Sequence, residues 1–440
     1  MFPHLPDRYW LYNVRVPACL ISGSISESIA IEPNLDGLAL LNIEVRNGKI
    51  ATILNSPSTS QSTPQIPLEE VLQVDWHHGI ALPCFIDVHT HLDKGHIWDR
   101  APNPDGTFES ALRTVAHDRD MYWTYEDVYR RMEFGLKCSY AHGTKAIRTH
   151  IDCPEPQMAA SFKAFQELRD TWRDRLYLQV VSLISLDLFM GDYGEQVADR
   201  IAELGGILGG VAYVNPDLEP QLDRLFRLAK DRGLDLDFHV DETDDPESNT
   251  LLHVAEAAIR NNFTGQIVCG HCCSLAVQDT EVAMKTIDLV KQADIGIISL
   301  PMCNLYLQDR TSKRTPRWRG VTLLHELREA GVPVAIASDN CRDPFYGFGD
   351  HDVMQIFAMS TQICHLDRPY GNWSRTVTQT PAGFMKLKDA GQIKVGASAD
   401  LILFKARSFN ELFSRPQSDR IVLRNGLAID TTLPSYSELD

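Results

Sequence analysis

The apolar run Cys84-Phe85-Ile86-Asp87-Val88 ends in His89-Thr90-His91, two histidines one residue apart. Alternate side chains of a strand share a face, so His89 and His91 point the same way. Two imidazoles aimed at one point at the end of a buried strand suit a transition metal such as zinc or iron. Such pairs also occur on exposed strands, and this one gains meaning from three further apolar runs that end in ligand or acid–base residues. Leu234 to Phe238 leads into His239-Val240-Asp241-Glu242, Gln266 to Gly270 leads into His271, and Val332 to Ser338 leads into Asp339. His239 offers a third imidazole. Glu242, three residues on, is the residue type that moves protons between water and substrate. A lone histidine or aspartate at a strand end is more often a hydrogen-bonded structural residue or a helix cap. Four such ends together point to one site.

Elements that could bring these ends together are visible in the hydrophobic rhythm. From about residue 80 to 340 apolar strands alternate with amphipathic helices. The strand candidates are Gly79–His89, Thr144–His150, Leu176–Leu183, Gly206–Val214, Leu234–His239, Gln266–His271, Ile295–Leu300 and Val332–Asp339. Leu222, Leu225, Phe226 and Ala229 form one helical stripe closed by Gly233; Leu323, Leu324 and Leu327 form another closed by Gly331. Eight strands alternating with helices predict an α/β protein with a (β/α)8 TIM-like barrel, a doubly wound sheet being the less favoured arrangement. Catalytic residues of such barrels sit at the C-terminal strand ends, where the polar residues fall here.

The two chain ends read as β-rich. Tyr9 to Pro17, Leu38 to Arg46 and Lys49 to Leu54 are strand candidates, with Asn47-Gly48 as a hairpin turn. Ala399 to Phe404 and Arg420 to Leu423 follow late in the chain. These predict a small β-sandwich domain built from both ends: residues 1–78 and 389–440, flanking a metal-dependent catalytic barrel over 79–388. The Ser-, Thr-, Gln- and Pro-dense stretch 55–67 is expected to be an exposed loop.

Composition narrows the partners. A chain of 440 residues suits a barrel enzyme with an accessory domain. The net charge of −17 argues against nucleic acid and anionic membranes, which demand a basic face. No apolar stretch reaches membrane-span length, and the Met1-Phe2-Pro3-His4 start lacks a signal segment. Ten scattered cysteines fit reduced thiols and a cytoplasmic protein. Cys269-x-x-Cys272 has no second pair to complete a zinc site, and small buried strand-end residues are the simpler reading.

In combination these motifs resemble the amidohydrolase superfamily, and within it the bacterial metal-dependent cytosine deaminases. The resemblance is carried by His89-Thr90-His91-Leu92-Asp93, Arg148-Thr149-His150-Ile151-Asp152, His239-Val240-Asp241-Glu242-Thr243-Asp244-Asp245, Gly270-His271, Asn304 to Arg310, Ser338-Asp339-Asn340 and Asp343-Pro344-Phe345-Tyr346. Gly396 to Leu401 resembles the superfamily's return to its small β domain. The resemblance implies one divalent metal ion, Zn2+ or Fe2+, held by His89, His91, His239 and Asp339. Catalysis would fall to Glu242, His271 and Asp339: Asp339 and His271 deprotonating water, Glu242 giving a proton to a substrate ring nitrogen. No carbamylated bridging lysine and no second metal are expected. Lys94 does not stand where a bridging lysine would, and a surface position is preferred over the substrate rim.

Three departures bear on the substrate. Ser185 stands roughly where cytosine deaminases place a glutamine that reads the pyrimidine edge, Asn340 stands in place of a second aspartate, and Phe345 in place of a tryptophan. With Gln308 these make the predicted substrate-binding set. Asn340 offers a donor and an acceptor where aspartate offers acceptors only; it could equally cap the loop after its strand. Shorter Ser185 leaves room for a larger ring. The expected substrate is therefore a small aminated N-heterocycle, with weak turnover of cytosine itself, and the expected assembly a homo-oligomer. A second reading is an amidohydrolase cleaving another C–N bond, such as an N-alkylamino triazine or a cyclic amide. A third, from another class, is a non-catalytic ligand-binding barrel, which the pairing of Glu242 with His271 disfavours because a binder needs no proton relay.

Overall fold

The computed structural model describes residues 5–23, 32–56 and 71–440. The loop expected over 55–67 lies outside the described residues from 57 onward. By internal contacts the chain forms two compact units. One takes the chain up to Ile86 together with Ser139–Lys145 and Asp352–Leu433; the other takes Asp87–Cys138, Ala146–His351 and Pro434–Asp440.

Within the first unit, Arg8–Pro17, Leu38–Arg46, Lys49–Asn55 and Leu72–Asp75 form a four-stranded sheet. Its hairpin turns at Asn47 and Gly48, both with positive φ (49° and 76°), as a two-residue Asn-Gly turn requires. Ala81–Pro83, Leu401–Leu403, Ile421–Arg424 and Leu427–Ala428 make a second four-stranded sheet. Both sheets feed one buried cluster that includes Tyr9, Leu11, Ile43, Leu401, Leu403 and Leu423. The Tyr9 hydroxyl donates to the Gly426 carbonyl at 2.6 Å, tying the two chain ends. The single strand expected over Gly79–His89 is in fact two. Ala81–Pro83 pairs antiparallel with Leu401–Leu403, and the backbone N–H of Cys84 donates to the Asp400 carbonyl before the chain enters the second unit. Pro83 has no N–H to continue a ladder, and both halves are equally apolar, so periodicity could not mark the break.

The strands that carry the site are β1 (Phe85–Thr90), β2 (Thr144–Asp152), β3 (Tyr177–Leu183), β4 (Leu208–Ala212), β5 (Leu236–Val240), β6 (Ile267–His271), β7 (Ile295–Ser299) and β8 (Val334–Ile336). They form sheets ordered β1-β2-β3 and β4-β5-β6-β7-β8, with parallel ladders from β2 to β3 and from β4 through β8. Isolated parallel bridges Val181–Ile207 and Ser185–Val211 lead from the β3 side to β4, and Thr90–Asp339 leads from β8 to β1. Helices separate successive strands, among them Leu218–Arg232 and Leu324–Ala330, whose C-caps Gly233 and Gly331 are left-handed. Buried on both faces, parallel strands of this kind must be nearly continuous apolar runs. All residues of β1, β5, β6, β7 and β8 are buried. The architecture is α/β and TIM-barrel-like. Among the described residues no helix is long and apolar enough to cross a membrane.

Candidate metal-binding active site

Polar residues inside these strands set the site's geometry from below. Asp87, on β1, accepts the Ser338 backbone N–H at 3.1 Å and its hydroxyl at 2.5 Å. The Thr90 hydroxyl donates to the Asp339 carbonyl at 2.8 Å, and the Asp339 N–H donates to the His89 carbonyl at 2.9 Å. β1 thus clamps the segment past β8. Asp339 sits there at φ 64°, a left-handed conformation that aspartate tolerates better than branched residues. Asp241, likewise left-handed at φ 54°, accepts the N–H groups of Thr250 and Leu251 and the hydroxyls of Ser248 and Thr250. That folds the chain sharply after β5 and fixes the start of Glu242's loop.

The histidines meet above this scaffold. His91 Nε2 lies 3.1 Å and His89 Nε2 3.6 Å from the same Asp339 oxygen. His239 Nε2 is 3.3 Å from His91 Nε2. Glu242 Oε1 is 3.4 Å from His271 Nδ1. The structure thus brings together all six residues predicted for metal binding and proton transfer. His89, His91 and Asp339 form one group of converging ligand atoms, and Glu242, His271 and Asp339 another.

Two residues of the site carried no predicted role, and a third was expected at the surface in preference to the substrate rim. The His150 ring packs on His89 with centroids 3.9 Å apart, and His89, His150 and His239 form a third converging group. Below it, Asp237 pairs with Arg148 at 2.8 Å, with His150 Nε2 at 3.3 Å. Asn304 Nδ2 donates to Glu242 Oε1 at 3.2 Å and lies 3.0 Å from His271 Nδ1, so one amide ties the two together. His150 and Asn304 both lay in motifs already singled out; strand-end position was the available signal for the first. Lys94 is the third, and the preference for a surface position is corrected. It is 5% exposed, pairs with Asp152 at 2.8 Å, and sits over the Phe345 ring. Burial alone would lower its pKa, but Asp152 and Asp93 outweigh burial and hold it above the usual value. Those partners come from β2 and from the turn after β1, a proximity that local sequence does not show.

The donor set fits a dication. Both ring nitrogens of His89 and Nε2 of His271 are buried without a hydrogen-bond partner, an arrangement that costs free energy unless something else engages them. Burial, then neighbouring imidazoles and cations, hold His89, His91 and His239 well below the usual histidine range, so they are neutral as ligands must be. Burial raises Glu242 well above the carboxylate range, with Asp339 adding to it.

A glycine makes room for this packing. A Cβ at Gly270 would stand 2.8 Å from His89 Cε1 and 3.1 Å from Nδ1. Gly270→Ala should therefore push the His89 ring out of line, costing ~1–3 kcal/mol of stability and weakening metal retention. Thermal unfolding together with metal content checks this; unchanged values for both would contradict it.

The site opens into a cavity of about 1010 Å³ lined by His91, Lys94, His239, Glu242, His271 and Asp339. The four predicted substrate-binding residues, Ser185, Gln308, Asn340 and Phe345, also line it. Two of them have internal partners. Gln308 Nε2 donates to the Glu242 carbonyl at 3.1 Å, and Asn340 Nδ2 donates to Asp343 at 2.7 Å. Asp343 also accepts the N–H groups of Phe345 and Tyr346, so Asn340 helps cap its own loop.

A buried His/Asp cluster with a carboxylate–imidazole pair on a TIM-barrel-like scaffold matches the family comparison: the amidohydrolase family model fits residues 141–428. The chain belongs to that family and is a hydrolase acting on C–N bonds other than peptide bonds. The pterin deaminase of Rhizobium rhizogenes is 49% identical over 441 residues, covering 100% of this chain and 98% of that protein. The N-isopropylammelide isopropyl amidohydrolase of Pseudomonas sp. is 25% identical over 371 residues, 81% of this chain and 87% of that one. The fold is shared with 5-methylcytosine deaminase from Klebsiella pneumoniae, solved with 5-fluorocytosine: TM-score 0.78, 24% identity, 97% of this chain and 98% of that one.

Proposed function

We propose that the chain is a hydrolytic deaminase of a pterin or a similarly large aminated N-heterocycle, using one divalent cation at His89, His91, His239 and Asp339. The convergence of those four groups with the Asn304-linked Glu242–His271 pair, five of them (His91, His239, Glu242, His271 and Asp339) lining one cavity, carries the reading. The full-length likeness to a pterin deaminase supports the substrate size. The bridges Val181–Ile207 and Thr90–Asp339 support a closed (β/α)8 ring beneath the cavity.

Zn2+ or Fe2+ held by these residues would supply a Lewis acid that shifts the pKa of water toward ~7. The chain's own groups do the rest. His271 and Asp339 orient that water and take its proton. Glu242, protonated because burial disfavours its anion, gives its proton to the ring nitrogen beside the amine-bearing carbon. That makes the carbon electrophilic. After oxygen attack, the proton taken from water goes to the exocyclic nitrogen, the C–N bond breaks to release ammonia, and the remaining hydroxyl proton returns to Glu242 as the ring carbonyl forms. Asn304 keeps the Glu242 and His271 groups in register. Buried Lys94, paired with Asp152, places a positive charge in the cavity lining near enough to Glu242 to act on it, suited to a ring carbonyl oxygen.

The test is kcat/KM for ammonia release, side by side on pterin, guanine, cytosine and an N-alkylamino triazine. Pterin is expected to lead and cytosine to fall well below it. Cytosine turnover at ~10⁵ M⁻¹s⁻¹ or more, in the range of well-matched pairs, would contradict the reading. Alkylamine release from the triazine in preference to ammonia from pterin would favour the second C–N hydrolase reading instead.

A further inference from the structure

A second set of soft ligands lies apart from the catalytic groups. His96, in the turn after β1, and Cys341 and His351, in the segment after β8, bring their ligand atoms within 4.8 Å of one another. His96 Nε2 and His351 Nε2 are 3.1 Å apart. Two nitrogens on a tetrahedral zinc, each ~2.0–2.1 Å from the metal, stand only slightly farther apart than that. Exposure is 9%, 2% and 2% for His96, Cys341 and His351. His96 Nδ1 is buried with no hydrogen-bond partner.

The backbone is bent to make this meeting. His96 and His351 both have positive φ, 64° and 53°, which few non-glycine residues adopt without a reason. The His96 N–H donates to the Cys341 carbonyl at 3.1 Å. On the helix Tyr125–Ala141, glycine at 135 leaves the space that His351 uses, since a Cβ there would stand 3.0 Å from His351 Nε2. One turn on, Cys138 is buried on the same face, and Asp350 and Cys341 are near enough for their charges to reach its thiol. Arg131 and Arg342 also act on His96 and oppose a dication, and burial pushes the Cys341 thiol up from its ordinary value; Asp350, close to that thiol, brings negative charge to the cluster.

We propose that His96, Cys341 and His351 form a second cation site, of the thiolate–imidazole class that takes Zn2+. A simple neutral hydrogen bond between the two imidazoles is the competing explanation. It accounts for the 3.1 Å contact, and the thiol accepts the His351 backbone N–H, but it gives no reason for two imidazoles and a thiol to converge on one point. A cation there would staple the turn after β1, which carries Lys94, to the segment after β8, which carries Asn340 and Phe345. Two walls of the substrate cavity would then be held by a structural ion that takes no part in the reaction.

Cobalt distinguishes the sites, because thiolate coordination gives a near-ultraviolet charge-transfer band and the catalytic set contains no thiol. Metal-stripped protein titrated with Co2+ should develop that band to one equivalent per chain. Cys341→Ser should lose the band while keeping the catalytic cation. Elemental analysis of zinc-loaded wild-type protein should give two zinc ions per chain, and this holds the proposal to account even if the variant does not fold. One zinc per chain with no thiolate band, or a band that survives in Cys341→Ser, overturns it. Either result is read without turnover, so it stands or falls separately from the deaminase assignment.

Discussion

Glu242→Gln protein is expected to fold, keep its catalytic cation and lose turnover by ~10²–10⁴-fold, the usual worth of a positioned acid–base group. The amide preserves the size of the side chain and can still meet Asn304, which lies 3.2 Å from Glu242 Oε1. It cannot release a proton to a ring nitrogen. Because Glu242 is placed to act in the transition state more than in substrate binding, kcat should fall while KM changes little. Metal content and steady-state kinetics on one preparation check both halves. If the variant is stripped of its cation, Glu242 is a ligand and the proton-transfer role is wrong. If kcat holds while KM rises, it binds substrate and does no acid–base work.

His89→Ala should do the opposite, losing cation and activity together. His89 is fully buried, and its ring is packed against His150 and His239 at centroid distances of 3.9 and 4.6 Å. Its removal deletes a ligand outright. The loss of affinity should exceed the ~10–100-fold typical of mutating a residue that only supports a ligand. Measured in a Cys341→Ser background, so that no thiolate-bound ion is counted, the cation content should fall from one per chain toward zero. Full activity without metal would refute metal dependence. Two ions in that background would refute a mononuclear active centre.

Much of this site could be read from the chain because strand geometry is local. His89 and His91 share a face by the two-residue period, and His239, His271 and Asp339 each end an apolar run, so their convergence needed only the barrel rhythm. What stayed hidden depended on partners far away in sequence. Lys94 reads as a surface lysine until Asp152 and Asp93 are seen beside it, and then it is a buried cation in the cavity wall. His150 was visible at a strand end, but its stacking on His89 depends on how β1 and β2 pair. Asn340 carried two readings, substrate contact or loop cap, and its bond to Asp343 supplies the second without removing it from the cavity lining. The division of Gly79–His89 between two sheets turned on Asp400, more than half the chain away, and no hydrophobic pattern encodes that.

Hydrolytic deamination at this site requires the new ring oxygen to come from solvent, which oxygen-18 water reads directly. Purified protein incubated with pterin in labelled water should yield one ammonia per pterin consumed, with one solvent-derived oxygen in each product molecule. Glu242→Gln protein should form neither product at a comparable rate. Ammonia without label in the ring product, or no consumption of pterin or any other aminated heterocycle by fully metal-loaded protein, would rule out hydrolytic deamination here.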